Sequence, residues 1–97
     1  MKLRWSKRAA ANLDSIYDYI AQDSEPTAYA FIKALAESAG KLTDFPFLGR
    51  FVPESQREDV RELLFGEYRI IYRVEADTVW VLTVIHGRRL LNLELTP

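Results

Sequence analysis

Arginines and the sole histidine of the sequence are concentrated in two apolar stretches of its C-terminal third, GEYRIIYRV (66–74) and VLTVIHGRR (81–89). Guanidinium groups bind carboxylates and phosphates through paired hydrogen bonds, and an imidazole can exchange a proton near neutral pH. These side chains are therefore the first candidates for anion binding, protein contact or acid–base chemistry. They are Arg69, Arg73, His86, Arg88 and Arg89.

Each candidate also has a structural interpretation, and pattern alone favours it. Arg69 is predicted in mid-strand, where pattern alone favours a solvated side chain over a guanidinium held for an anion. Arg88 and Arg89 follow Gly87, as expected of a solvated turn. A lone histidine such as His86 is more often a hydrogen-bonded structural residue than a general base, although the base remains possible.

Composition excludes several classes of site. The sequence has no cysteine, and therefore no disulfide, thiolate ligand or thiol nucleophile. It contains no glycine-rich phosphate loop and no HExxH motif, and one histidine alone cannot build a metal centre, so we expect neither metal nor cofactor. A net charge of −1 argues against general nucleic-acid binding. We see no signal peptide and no run long enough to span a bilayer, which favours a cytoplasmic protein.

Apolar periodicity predicts the elements that hold these residues. The 97 residues are expected to form a single domain of the α+β class, in the order strand, helix, helix and three strands. Ser6 and Ser24 are predicted helix caps, and the short connection predicts an antiparallel helical hairpin on a small antiparallel sheet. The predicted strands are 2–5, 60–64, 68–74 and 79–85, the helices are 7–22 and 24–42, and 44–58 is a loop.

Strict alternation predicts which strand residues face the hairpin. Tyr68, Ile70, Tyr72 and Val74 are expected under the helices, with the intervening arginines on the opposite face. The last strand is apolar on both faces, which is typical of a strand buried on both sides. We therefore expect the C-terminal tail (90–97) or a second protein to cover the face that the helices leave open. Alternation also places Trp80, Val84 and His86 on one side.

Several motifs, in their order and spacing, resemble the RelE/ParE family of bacterial type II toxins. They are W-S-x-x-A from Trp5, L-x-x-I-x-x-Y-I in the first helix, P-x-x-G-R at 46–50, R-E-L at 61–63, G-x-Y-R-I-I-Y-R-V at 66–74 and V-I-H-G-R-R at 84–89. The resemblance covers almost the whole chain. It implies a helical hairpin on a small sheet, a toxin that inhibits growth and stabilises plasmids, and a cognate antitoxin as partner.

The family divides by target, and the residues favour one branch. RelE-like members cut ribosome-bound messenger RNA and ParE-like members block DNA gyrase. The positions resembling the nuclease arginines are Arg69 and Arg89, but its lysine positions fall on Val60 and Glu62. The position of the nuclease tyrosine falls near Leu95. A carboxylate at position 62 would repel a phosphate, so the resemblance favours a gyrase inhibitor that binds no nucleic acid sequence-specifically.

Two other interpretations remain open. One is a divergent endoribonuclease that uses Arg69, Arg89 and His86, and the other is an inactive homologue that binds only its antitoxin. For a binding protein, the sequence offers candidate contacts with the target or the antitoxin on the sheet and at its end. These are Arg69, Arg73, Trp80, Arg88 and Arg89.

Overall fold

The computed structural model describes residues 1–89 of the chain. Its helices and strands follow the predicted order, with a two-residue strand and a 3₁₀ turn in addition. The elements are β1 (Lys2–Trp5), α1 (Lys7–Ala21), α2 (Glu25–Gly40), the 3₁₀ helix (Lys41–Thr43), β2 (Arg50–Phe51), β3 (Val60–Phe65), β4 (Tyr68–Val74) and β5 (Thr78–His86). Neither described helix is long and apolar enough to cross a membrane.

The strands form one sheet in the order β1-β5-β4-β3-β2. β3, β4 and β5 are the predicted antiparallel meander. Gly66 has a φ of +56°, which the first residue of a two-residue type II′ hairpin turn requires. The sheet is mixed rather than purely antiparallel, because β1 pairs with β5 in parallel. Sequence alone does not give the direction of so distant a pairing.

Serine caps begin both helices, as predicted. The Ser6 hydroxyl accepts the Ala9 N–H and donates to the Leu82 carbonyl at 2.7 Å, so it joins the start of α1 to β5. Ser24 accepts the Thr27 N–H in the same way. These contacts satisfy amide groups that the first helical turn leaves without intrahelical partners.

The hairpin covers one face of the sheet, as alternation in β4 predicts. Leu35, which is fully buried, belongs to a core cluster with Ile16 and Ile70. A second cluster joins Leu42 to Tyr72. The predicted helix residues Leu13, Ile20 and Phe31 pack against the first cluster from its margin.

Strict alternation fails in β5, because the strand carries a bulge. Ile71 pairs with Thr83 while Tyr72 pairs with Val81, so Leu82 is an extra residue opposite β4. The bulge shifts the facing of everything beyond it. The prediction that Trp80 shares a face with Val84 and His86 is therefore wrong, and Trp80 instead shares the face of Ile85.

The face opposite the hairpin is partly covered by the chain itself. Val52, in the segment between β2 and β3, is 1% exposed and joins a cluster with Val60 and Ile71. Ile85 packs against the same cluster. Residues 52–59 therefore supply some of the cover that we expected from the tail or a second protein. The tail, 90–97, lies outside the described residues.

Candidate functional site

The structure divides the predicted site residues between two ends of the β4–β5 pair. Arg69 pairs with Ile85, and Tyr68 pairs with His86, beside the turn that carries Arg88 and Arg89. We call this end the arginine end. Arg73 and Trp80 pair with each other at the opposite end of the same two strands. The residues therefore do not form one contiguous site.

Arg69 is a buried ion-pair partner and not a solvated strand residue. Its Nε donates to Glu62 Oε1 at 2.7 Å. Its Nη1 and Nη2 donate to the two carboxylate oxygens of Glu54 at 2.8 and 2.7 Å, the paired geometry in which guanidinium binds carboxylate most specifically. Nη1 also donates to the Arg89 carbonyl at 3.3 Å. The side chain is only 7% exposed.

Glu62 is the centre of this ion cluster. Its side chain is fully buried, and it lies between two guanidinium groups. Oε2 accepts a 2.6 Å hydrogen bond from Nε of Arg50, whose side chain is 61% exposed. We call Arg50, Glu54, Glu62 and Arg69 the four-residue ion cluster. With two positive and two negative groups, it is formally neutral.

Electrostatics keep the central guanidinium charged. The hydrogen bonds that Arg69 donates to Glu54 are the largest cause raising the pKa of Arg69 above its ordinary value; burial opposes this shift, and Glu62 adds to it. While both carboxylates are in place, this desolvated arginine has little capacity left for an external phosphate. The pattern favoured a solvated residue at Arg69 over an anion-binding one, whereas the guanidinium binds two carboxylates of the chain itself.

A cleft of about 390 Å³ opens beside the ion cluster. It is lined partly by Glu54 and Arg69 and partly by the β4–β5 end, including Tyr68, His86 and Arg88. Its wall combines apolar surface with several charged side chains, a combination that can bind a side chain or a small ligand.

His86 lies at the edge of this cleft in a structural arrangement. Its ring contacts the Tyr68 ring edge-on, with centroids 5.7 Å apart. Nδ1 accepts the Arg88 N–H at 3.3 Å, and Nε2 lies 3.6 Å from a Glu67 carboxylate oxygen. These contacts hold the imidazole beside the turn.

A second cleft, of about 270 Å³, lies on the other side of Tyr68 and His86, between α1 and the end of β5. Arg89 and the exposed Tyr19 contribute to its wall. Asn12 also lines this cleft, and its Oδ1 accepts the Val84 N–H at 3.0 Å. The side chain thereby bonds a backbone N–H of β5 that lies beyond the end of the pairing with β1. This cleft forms a groove beside the hairpin.

Arg73 and Trp80 have a different environment. The Arg73 guanidinium forms an ion pair with Glu75, and its Nε lies 3.9 Å from Asp59. Asp59 in turn receives two hydrogen bonds from Arg57, the largest cause lowering the pKa of that carboxyl. Trp80, half-buried, lies across from Arg73. Their proposed role in partner contact stays a prediction.

An exposed aromatic surface follows the 3₁₀ helix. Phe45, Phe47 and Phe51 are each more than half exposed, as is Leu48. The Arg61 guanidinium contacts two of the rings, 5.1 Å from the Phe47 centroid and 4.1 Å from the Phe51 centroid. Stacking of a cation on aromatic faces orders the surface, and clustered exposed apolar side chains are typical of protein-binding sites.

Tyr72 positions the segment that carries this aromatic surface. Its hydroxyl accepts the Gly49 N–H at 2.9 Å. Burial is the largest cause raising the pKa of Tyr72, against the lowering effects of the Gly49 hydrogen bond and Arg61. A Cβ at Gly49 would lie 2.5 Å from the Glu62 carbonyl oxygen, so only glycine allows this close approach.

Sequence reasoning missed Glu54, Arg50 and Tyr68 as site residues. Nothing in an aperiodic loop indicates that Glu54 reaches back to Arg69, fifteen residues away in sequence. For Glu62 a partial signal was present in the sequence, because its negative charge was noticed but was interpreted only as repelling a phosphate. No group of three or more histidine, aspartate or glutamate side chains within residues 1–89 is arranged to hold a metal ion.

The family model for the ParE toxin of the type II toxin–antitoxin system parDE matches residues 3–91. This chain belongs to the ParE toxin family. Y4kP of Sinorhizobium fredii is 31% identical over 90 residues, which cover 91% of this chain and 90% of that protein. Toxin RelE2 of Caulobacter vibrioides is 34% identical over 86 residues, covering 89% of this chain and 94% of that toxin.

Solved structures of toxin–antitoxin systems share the fold of this ParE-family chain. A chain of the chromosomal ParDE system from P. aeruginosa superposes with a TM-score of 0.75 at 27% identity, covering 89% of this chain and 95% of that one. A chain of the RelBE2 toxin–antitoxin complex from Mycobacterium tuberculosis gives 0.62 at 25% identity, with coverage of 88% and 95%. The predicted family and α+β fold are therefore confirmed.

Proposed function

We propose that this ParE-family toxin inhibits DNA gyrase by binding it, without cutting RNA. The observation that carries this proposal is the environment of Arg69. The guanidinium that would hold a phosphate in a RelE-like nuclease is buried here and bonded to Glu54 and Glu62. A nuclease needs cations free to stabilise the charge on the phosphate in the transition state, whereas inhibition by binding needs only a docking surface.

The exposed arginines at the end of β5 are the proposed contacts with the target. Arg88 and Arg89 are both exposed, unlike Arg69. At the arginine end, Arg88 lines the larger cleft and Arg89 lines the second cleft, and a large partner can reach both. Arginine is enriched at the energetically important centres of protein interfaces. The aromatic surface around Phe47 offers a second place for contact with a protein.

We also propose that a cognate antitoxin neutralises the toxin. The solved relatives belong to toxin–antitoxin systems, and the cleft between α1 and β5 offers a groove for an inserted segment. Binding there would place the antitoxin beside Arg89 and would compete with the target. A partner of this kind gains affinity from apolar contacts and specificity from charge pairing.

The direct experiment combines a supercoiling assay with a ribosome assay. Purified protein is expected to reduce DNA supercoiling by gyrase or to trap cleaved DNA, and to leave messenger RNA intact on translating ribosomes. Arg88→Ala/Arg89→Ala is expected to weaken inhibition at unchanged stability. A Lys7→Ala/Lys33→Ala protein, which loses two exposed cations from the helices, is the matched control.

The second candidate is a ribosome-dependent endoribonuclease, which the similarity to toxin RelE2 keeps in consideration. Its machinery would be Arg69, Arg89 and His86. Messenger RNA cut in the ribosomal A site, with gyrase unaffected, would establish this function and reject gyrase inhibition. Toxicity in cells, relieved by co-expression of a neighbouring antitoxin gene, tests the antitoxin proposal separately.

A further inference from the structure

We propose that Arg69 is an exchangeable carboxylate-binding site, in which Glu54 occupies the place of an acidic side chain of the antitoxin. The identity of the partner rests on the proposed toxin–antitoxin function. The site itself follows from the contacts within the ion cluster. Glu54 and the partner carboxylate would compete for Nη1 and Nη2 of the same guanidinium.

The two carboxylates on Arg69 are not equivalent. Glu62 belongs to strand β3, its side chain is fully buried, and it also accepts from Arg50. Glu54 belongs to the segment between β2 and β3, and its side chain is 22% exposed at the wall of the larger cleft. One carboxylate is therefore fixed by the sheet, and the other reaches Arg69 from a loop beside an opening.

Charge explains why only another anion can replace Glu54. The four-residue ion cluster is neutral with Glu54 in place, and it carries one net positive charge without it. An uncompensated guanidinium in a desolvated site is costly, so Glu54 cannot simply leave. An incoming carboxylate that adopts the same paired geometry restores neutrality and both hydrogen bonds.

The approach to the site favours an acidic group. Arg50 and Arg88 line the cleft beside Arg69, and Arg50 is largely exposed. Glu67 is the opposing charge in this cleft, but its side chain is turned outward and is 82% exposed. A tethered acidic side chain gains from a high effective concentration that a free carboxylate lacks, so a protein segment can compete with the internal Glu54.

Chemical rescue tests the site without reference to the biological partner. In Glu54→Ala, acetate should occupy the vacated position. For an acetate Kd of about 10 mM, a tenfold higher concentration is expected to raise Tm by about 5–10 °C over equal ionic strength of chloride. The Arg69 Nε–Hε NMR cross-peak should shift saturably in the same titration. Wild-type protein and Glu58→Ala, which removes an exposed carboxylate from the same segment, should show neither response.

Two results would overturn the site. The first is an acetate response in Glu54→Ala no larger than that in Glu58→Ala. The second is a Glu54→Ala protein that is unfolded in chloride and stays unfolded in acetate, because acetate bound at Arg69 should restore folding.

The partner is tested with the purified antitoxin. Removing the internal competitor with Glu54→Ala is expected to tighten antitoxin binding by about tenfold or more, because the wild-type site is open in at most about a tenth of the molecules. Glu58→Ala is expected to bind as wild type does. Acetate binding without a gain in antitoxin affinity would reject the antitoxin carboxylate as the occupant. If the protein proved not to be toxic, the acetate result would be unchanged. Failure of the proposed function can therefore be distinguished from failure of the carboxylate-binding site.

Discussion

Replacing Glu62 with glutamine should destabilise the protein because it removes the fully buried negative charge of the ion cluster. The substitution keeps the size of the side chain and one acceptor oxygen, but it removes the negative charge between Arg69 and Arg50. Removal of one partner from a buried ion pair typically costs about 3–5 kcal/mol. Glu54 remains bonded to Arg69, and the contact with the exposed Arg50 contributes little.

We therefore expect Glu62→Gln to lower the free energy of unfolding by about 2–4 kcal/mol, or the melting temperature by about 10 °C or more in a chain of this size. Urea denaturation measures the change, with an unaltered m-value as the check that the two-state assumption holds. Glu58→Gln, on the exposed part of the preceding segment, is the control and should change stability by less than about 0.5 kcal/mol. Equal effects of the two substitutions would refute the assignment of Glu62 as the buried counter-ion.

Three further predictions concern the fold. Leu35→Ala is expected to cost about 2–5 kcal/mol in chemical denaturation because this side chain of α2 is fully buried between the hairpin and the sheet. No loss would mean that the helix face is wrongly placed. Gly40→Ala should stabilise the protein by about 0.4–1 kcal/mol because nothing lies near an added Cβ. Gly49→Ala should destabilise it because the added Cβ would collide with the Glu62 carbonyl. If the two substitutions moved the melting temperature in the same direction, this contrast between the two glycines would be contradicted. Burial raises the pKa of Tyr72, so its stabilising effect is complete below about pH 10 and is lost as pH rises through the higher folded-state pKa. An ultraviolet titration in which every tyrosine ionises together, or an equal alkaline loss in Tyr72→Phe, would argue against it.

Local pattern was sufficient for most of the fold. The helical stripes containing Ile16 and Leu35 identified the faces that pack on the sheet, and serine caps located both helix starts. β4 was predicted with the bounds that the structure has, because apolar and charged residues alternate along it. These signals are physical consequences of burying one face of each element.

Features that depend on pairing or on loop path were not predictable. β5 is apolar on both faces, so no alternation marked the bulge at Leu82 that changes the facing of later residues. The parallel pairing of β1 with β5 joins segments more than seventy residues apart. The same limit applied at the site. Arg69 stood out by its charge in an apolar strand, but its partner Glu54 lies in a loop whose path has no periodic signal.

The arginines differ in how their charge is used in the free protein. In the free protein, Arg69 is held by the buried Glu62 and the partly exposed Glu54, so its charge attaches the segment between β2 and β3 to the sheet. Arg88 and Arg89 are exposed on the turn beyond Gly87, where their charges are available to a partner. Removing Arg69 leaves Glu62 buried with less compensation and must disturb the fold, whereas removing the two exposed arginines must chiefly disturb binding. A loss of inhibition in Arg69→Ala would therefore be informative only at matched folded fraction, while the same loss in Arg88→Ala/Arg89→Ala would identify the surface that contacts the target.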